Sequence, residues 1–442
     1  MNPELYQNII IGSGEPGKFL AWTLAKSGQK TIVVERSMYG GSCPNVACLP
    51  SKNIIHSAKV ASLLAHAAEF GLAAAPLKVD MAAVIRRKDR MIEGLMELHR
   101  GFFKASGAEL VWGEGRFTAP KTIEVALNSG GTRPLRGERI FLAVGTRAST
   151  PPVPGLAEAM PMTHVEALQL ARVPEHLVVL GGGYIGLEFA QAMHRFGSRV
   201  TLLHHGPRLL EREDPDVSEA LLQLFKDEGV EVKLHAELLG VSGRSGESVQ
   251  LQVRENDTVA TLAASAILVA TGRTSNADRL DVSKGGVELA AHGYIRVNDR
   301  LETTAPEVWA MGECAGSPQF THVGFDDFRI VRDNLAGSAR TTRGRLIPYC
   351  LFTDPEMAHV GLSETAAKAQ GIPYRLAKIP MAAILRTRTL GETRGFAKAL
   401  VANDDLILGF TAFGPSAGEL AAVAQTAMLG RLPYPVLRDA IF

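Results

Sequence analysis

Cysteine is scarce, with four residues in a chain of 442. So few cannot form a disulfide scaffold for a chain of this length, and in a reducing compartment a cysteine pair is more often catalytic or metal-binding than structural. Neither sign of charge predominates either. Forty-seven basic and 46 acidic residues leave a net charge of +1, so no global field draws the chain to nucleic acid or to an anionic membrane surface. No uninterrupted apolar run reaches the roughly 18 residues of a membrane span. The stretch Met1 to Gln7 carries an acid where a signal peptide carries a basic run, and a cytoplasmic location is expected.

The rest of the composition is ordinary. Hydrophobic residues make up 46% of the chain, enough for several cores, and the length suits about three domains.

The reading centres on Gly40-Gly41-Ser42-Cys43-Pro44-Asn45-Val46-Ala47-Cys48-Leu49-Pro50-Ser51-Lys52. In a regular helix, residues five apart are displaced by roughly 7.5 Å, beyond the roughly 7 Å limit for bridging Cα atoms. The cysteines therefore need an irregular first turn. Pro44 disfavours helical geometry at Cys43, so the chain is expected to be extended there and helical by Cys48. A helix N-terminus also lowers a thiol's pKa. Cys43 and Cys48 read as a redox-active dithiol; the other readings are two buried thiols or half a zinc site. Zinc needs about four ligands and only His56 is near, so no metal site is expected. Cys314 and Cys350 read as core thiols.

Two stretches share one grammar. The apolar strand Asn8 to Ile11 enters Gly12-Ser13-Gly14-Glu15-Pro16-Gly17, a helical Phe19 to Ser27 follows, and strand Thr31 to Val34 ends in Glu35. Glycines that let backbone approach a pyrophosphate at a helix N-terminus, with an acid about 20 residues on for the ribose, are the dinucleotide fingerprint. The pattern returns as strand Leu177 to Leu180, Gly181-Gly182-Gly183-Tyr184-Ile185-Gly186, helix Leu187 to Arg195 and strand Val200 to Leu203. Glu35 stands 23 positions after Gly12, and the same count from Gly181 reaches His204. With His205 and Arg208 beside it and no carboxylate there, NADPH is preferred over NADH, although the two histidines also suit a solvated turn before Pro207.

Pro151-Pro152-Val153-Pro154-Gly155 marks a domain crossing, and Thr271-Gly272-Arg273 closes the second unit. The expected domains are 1–150 with 273–343, an inserted 151–272, and 344–442, the last an interface domain with strands near 396–401 and 406–413 and a helix over 417–429. Further helices are expected near 81–105 and 325–335, strands over 109–125, and a strand at Val308 to Met311 before Gly312-Glu313.

Together with Phe352-Thr353-Asp354-Pro355-Glu356, these motifs resemble the class I pyridine nucleotide-disulfide oxidoreductases, the group of lipoamide dehydrogenase, glutathione reductase and mercuric reductase. The resemblance covers essentially the whole chain. It implies an α/β fold of two Rossmann-like domains, for FAD and NAD(P), and a C-terminal α/β dimerisation domain. FAD would be held by Gly12, Gly14, Gly17, Glu35, Lys52, Gly145 and Glu313, with Ser13, Arg36, Gly41, Ser42, Gly115 and Arg273 as further contacts. The nicotinamide nucleotide would be held by Gly181, Gly183, Tyr184, Ile185 and Gly186, with His204 and Gly272. Electrons would pass from NADPH or NADH through FAD to Cys43 and Cys48, and on to a disulfide or metal-ion acceptor. Cys48 matches the flavin-proximal thiol, Cys43 the exchanging one, Tyr184 the ring gating the nicotinamide pocket, and Glu188 a partner of Lys52 from another domain. A homodimer is implied. The rival reading is a flavin and dithiol redox sensor without turnover.

Three departures stand out. Glu313 replaces the usual aspartate and is expected to reach one methylene further towards the ribityl chain, and Ala47 replaces a glycine. The family's His-Pro-Thr segment, which carries its general acid, is not in this sequence, and a shortened chain is the expected reason. Asp326 and Asp327 are read as capping acids at a helix N-terminus.

Overall fold

The structure is a computed structural model describing residues 2–73 and 75–441. It is a mixed α/β chain that separates into two compact units. The first comprises the chain up to Ser51, Arg86–Ser149 and Gly272–Arg345, and the second comprises Lys52–Ile85, Thr150–Thr271 and the chain from Leu346. Among the described residues no helix is long and apolar enough to cross a membrane.

In chain order the elements that place the site are β1 (Glu4–Ile11), α1 (Glu15–Lys26), β2 (Thr31–Glu35), α2 (Ser42–Val46), α3 (Cys48–Ala65), α4 (Met81–Ser106), β3 (Glu109–Ala119), β4 (Thr122–Leu127) and β5 (Thr132–Leu142). These are followed by β6 (Thr146–Ala148), α5 (His164–Ala167), β7 (His176–Leu180), α6 (Tyr184–Arg195) and β8 (Arg199–Leu203).

In the first unit β1 pairs in parallel with β2 on one side and β5 on the other, and β5 pairs in parallel with Val308–Ala310. Strands buried on both faces should be continuously apolar. Ile9, Ile10, Ile32, Val33, Ile140 and Phe141 are accordingly fully buried. β3 and β5 outrun this parallel sheet, and their far ends form an antiparallel meander with β4.

The second unit holds a four-stranded parallel sheet in which Ala266–Val269, β7, β8 and Glu231–Lys233 lie in that order. It also holds a three-stranded antiparallel sheet over 236–264 and a five-stranded antiparallel sheet from Tyr349 to Gly414. Helix Ala417–Leu429 buries Ala417, Ala421, Ala424 and Ala427, residues small enough for a helix to lie close on a sheet.

Elements expected from the sequence differ here in their bounds. α1 begins at Glu15 rather than Phe19, because Pro16 serves the first turn, where a missing N–H costs nothing. The helix expected from 325 begins at Thr321.

Candidate functional site

The cysteines sit where α2 hands over to α3. Cys43 lies inside α2 and Cys48 opens α3, while Ala47 between them has φ −138° and ψ −105°. The irregularity is therefore at Ala47, and Cys43 is helical rather than extended. Pro44 is accommodated in the opening turn of α2. The two thiols are free and hydrogen-bonded to each other.

Cys43 is also not acidified. Its hydrogen bond with Cys48, then burial, then the charge on Cys48 push its pKa well above the ordinary thiol value, and Thr321 pulls weakly the other way. Two acids sharing a hydrogen bond lose their protons in sequence, because ionising the first opposes the second. A two-residue-deep helix end cannot offset that. Thr321 escaped the sequence reading: its hydroxyl lies 3.1 Å from Cys48 Sγ at the first turn of helix Thr321–Leu335, and only the fold brings those positions together.

Behind Cys43 opens a cleft of about 1170 Å³ including its mouth. It is lined by Gly12 and Gly14, by Glu35 and Arg36 at the end of β2, by Gly41, Ser42 and Cys43, by Gly115 on β3, and by Gly145 and Glu313. Three other sequence candidates take supporting positions. Ser13 is fully buried and, through both its backbone N and its hydroxyl, donates to Glu35 Oε2 at 2.9 and 2.7 Å. Gly17 packs α1 against the loop, where a Cβ would fall 2.2 Å from Gly12 O. Arg273 Nε lies 3.0 Å from Glu313 Oε2 and 2.6 Å from Thr146 Oγ1. The Glu313 carboxyl, which lines the cleft, is thus held by Arg273 and Thr146. Lys52 does not line the cleft.

The cleft suits a dinucleotide. A Cβ on Gly145 would meet nothing within 4 Å and one on Gly14 would touch only Ala143 O at 3.7 Å, so both glycines leave room on the cleft side for a ligand. Glu35 sits at the strand end where a ribose is bound.

Asp326 and Asp327 do not cap their helix; they lie more than a turn inside it. Asp327 is fully buried, accepts from Gly312 N and Ser317 Oγ at 2.7 Å each, and pairs with Arg345 at 2.6 Å. It holds the Gly312-Glu313 turn at the cleft wall. Cys314 is buried and pushed up to about 11 by burial, and Cys350 is partly buried.

In the second unit Gly181 and Gly183 form the loop between β7 and α6, with Tyr184, Ile185 and Gly186 in the first turn of that helix. A Cβ on Gly186 would fall 1.9 Å from Gly181 O, whereas one on Gly183 would meet nothing within 4 Å; the same holds for Gly272, which belongs to the first unit. Glu213, another residue the sequence reading missed, accepts from Tyr184 Oη at 2.9 Å and from Tyr349 Oη at 3.1 Å. Lys52 and Glu188 pair at 2.8 Å. Both residues belong to this unit. Glu188 also accepts from Phe352 N at 3.0 Å, and the Lys52 ammonium lies 4.7 Å over the Phe352 ring. His204 is neither free nor cationic: its Nδ1 accepts from Gly182 N, its Nε2 faces Glu211, and burial lowers its pKa. Asp214, Asp216 and Glu364 gather around the ammonium of Lys398, which fills the space a cation would take.

Residues 6–327 match the family described as pyridine nucleotide-disulphide oxidoreductase, and 347–442 match its dimerisation domain. The chain belongs to this family. It is similar to the probable pyridine nucleotide-disulfide oxidoreductase RclA of Escherichia coli (strain K12), at 34% identity over 99% of this chain and 96% of that protein. It is also similar to a mercuric reductase of Acidithiobacillus ferrooxidans, at 33% identity over 98% of this chain and 79% of that protein. The solved Cu(II) complex of the HOCl-induced flavoprotein disulfide reductase RclA from E. coli superposes with a TM-score of 0.90, at 34% identity, covering 100% of this chain and 96% of that one. As a pyridine nucleotide-disulfide oxidoreductase the chain is an FAD-dependent enzyme using NAD(P)H, and its dimerisation domain supports a homodimer.

Proposed function

We propose that this oxidoreductase passes electrons from a nicotinamide nucleotide to the Cys43-Cys48 pair and from there to a thiophilic metal ion, with a disulfide as the alternative acceptor. The observation that carries the reading is the pair itself: two free, mutually hydrogen-bonded thiols, one of them lining a flavin-sized cleft. Gly12, Gly14, Glu35, Gly145 and Glu313 would hold FAD, with Ser13 and Arg273 positioning the two acids. When bound, FAD supplies the carrier for an electron pair between the nicotinamide ring and sulfur.

The chain's own residues do the rest. The family resemblance gives Cys48 the flavin-side role; Cys43 and Thr321 line the cleft, and the Thr321 hydroxyl, 3.1 Å from Cys48 Sγ, can donate to its thiolate. Cys43 takes the acceptor-side role. Soft thiolates suit soft metal ions, and the balance is simple: the dithiol gives up two electrons and two protons as the S–S bond forms, reducing one Hg(II) to Hg(0) or two Cu(II) to Cu(I). With a disulfide acceptor, the Cys43 thiolate attacks one sulfur and releases a thiolate. Cys48 then attacks Cys43 Sγ, breaking the mixed disulfide and closing the pair. A reducing compartment such as the cytoplasm suits a pair that must open at each turn.

The FAD-loaded protein, given NADH or NADPH and Cu(II), should form Cu(I) trapped by a chromogenic chelator, and Cys43→Ser and Cys48→Ser should each lose at least ~100-fold of that rate, as expected when one member of a unit is removed. Full activity in both variants would remove the pair from the reaction. Reduction of a disulfide but not of Cu(II) or Hg(II) by the wild type would rule out the metal.

A further inference from the structure

The two glycine units close with the same hydrogen bond made by different chemistry. In the first, Ser13 N donates to Glu35 Oε2 at 2.9 Å. In the second, Gly182 N donates to His204 Nδ1 at 3.2 Å. Gly182 follows Gly181 as Ser13 follows Gly12, and His204 comes immediately after β8 where Glu35 is the last residue of β2. An imidazole therefore does in the second loop what a carboxylate does in the first, but it brings no negative charge.

The geometry fixes its protonation. Because Nδ1 accepts, the ring proton is on Nε2, 3.1 Å from Glu211 Oε1. A second proton on Nδ1 would point at the Gly182 N–H, donor against donor. Burial, followed by the neighbouring His205, pushes the ring's pKa below the usual histidine value, and the opposing pull of Glu211 does not restore it. His204 thus offers no positive charge to a phosphate. The charge at this strand end belongs instead to Glu211, whose carboxylate lies across the loop: a Cβ on Gly206 would fall 1.4 Å from Glu211 Oε1. His205, Arg208 and Arg212 on the same loop favour an anion, and Glu211 opposes them.

We propose that Glu211, held in place by a neutral His204, is the residue by which the second unit disfavours a 2′-phosphate on the adenosine ribose, so that selection between NADH and NADPH is made by a carboxylate positioned through an imidazole. This rests on the reading of the second glycine unit as the nicotinamide nucleotide site. A carboxylate in the ribose position favours the free hydroxyl and repels the phosphate. His204 is a positioning residue here, since it acts through Glu211.

The test measures equilibrium binding of ADP and of adenosine 2′,5′-bisphosphate to the FAD-loaded protein by calorimetry, alongside anaerobic flavin bleaching by NADH and NADPH. Glu211→Gln should raise the affinity for the bisphosphate relative to ADP by about tenfold, and should shift the NADPH-to-NADH ratio of bleaching rates the same way. His204→Ala, which frees Glu211, should shift both ratios in that direction. His204→Gln, whose amide can accept from Gly182 and donate to Glu211, should keep the wild-type ratios. Equal effects of Glu211→Gln on both nucleotides, or a His204→Gln variant indistinguishable from His204→Ala, would overturn the proposal while leaving the site intact. Failure of the wild type to bind either nucleotide and of either dinucleotide to bleach the flavin would overturn the nicotinamide reading and the proposal with it.

Discussion

Cys43 is raised first by its hydrogen bond with Cys48 and then by burial, and Thr321, whose hydroxyl lies 3.1 Å from Cys48 Sγ, pulls it back only weakly. A thiol whose pKa is raised by its neighbour should ionise at lower pH when the neighbour is removed. In Cys48→Ser the alkylation of Cys43 by iodoacetamide should therefore reach its half-maximal rate at a lower pH than in the reduced wild type, by a unit or more, about 1.4 kcal/mol or above. An unchanged or higher midpoint would mean that burial, the second cause, sets the Cys43 value. The same pair marks what a linear sequence can carry. The spacing of Cys43 and Cys48 is local, and so was visible. Thr321 lies 273 positions from Cys48, and nothing in Gln319 to His322 signals a hydroxyl aimed at sulfur.

The glycine loop of the first unit and the cysteine loop touch backbone to backbone, and this contact gives Gly41, read from the sequence as a further FAD contact, a role in shaping the loop as well. Gly41 has φ +77°, and a Cβ there would lie 2.5 Å from Gly14 Cα. Gly28 has a comparable φ of +82° with nothing within 4 Å, so the pair separates backbone strain from the clash. Gly28→Ala should cost about 1–2 kcal/mol, the left-handed penalty alone, and should keep its flavin. Gly41→Ala should cost that and also force Gly14 away from the cleft, so that the purified protein loses most of its bound FAD, read as the ratio of flavin to protein absorbance. Equal FAD content in the two variants would show that the loops do not constrain each other. The strand-glycine-helix grammar was legible in both units because each is one short run of chain with its own periodicity. The strands over 236–264 were missed, although they pair with their chain neighbours. The strands at 356–361 and 375–380 were not legible, since they pair with 409–414 and 396–401 across intervening chain. Asp327 was misread for the same reason: its sequence neighbours suggest a helix end, while its partners are Gly312, Ser317 and Arg345.

Within the second unit, stability is tied to one buried lysine. Lys398 on strand Phe396–Val401 has no exposed side chain, and its ammonium lies 2.8 Å from Asp214, 2.8 Å from Asp216 and 3.0 Å from Glu364. Asp214 also accepts from the backbone N of Glu364 and Thr365, at 3.0 and 2.8 Å, so the cluster joins the loop after β8 to the five-stranded sheet. Burial alone would raise the Asp214 pKa, but Lys398 and Thr365 outweigh it and hold the carboxyl well below the usual range. A carboxyl depressed in the folded state stabilises the fold above its unfolded pKa and loses that contribution as pH falls through its folded value. Wild-type stability should accordingly decline on acidification below about pH 4, where the unfolded aspartate begins to take up protons and the folded one does not. Lys398→Met leaves Asp214 buried beside two further acids, a broken buried pair that costs about 3–5 kcal/mol at neutral pH. With its cation gone, the Asp214 carboxyl should rise, so the variant should lose less stability than the wild type between pH 7 and pH 3. Urea unfolding followed across that range checks both points. A variant as stable as the wild type at pH 7, with an unaltered acid limb, would show that the backbone donors of Glu364 and Thr365 satisfy Asp214 without Lys398.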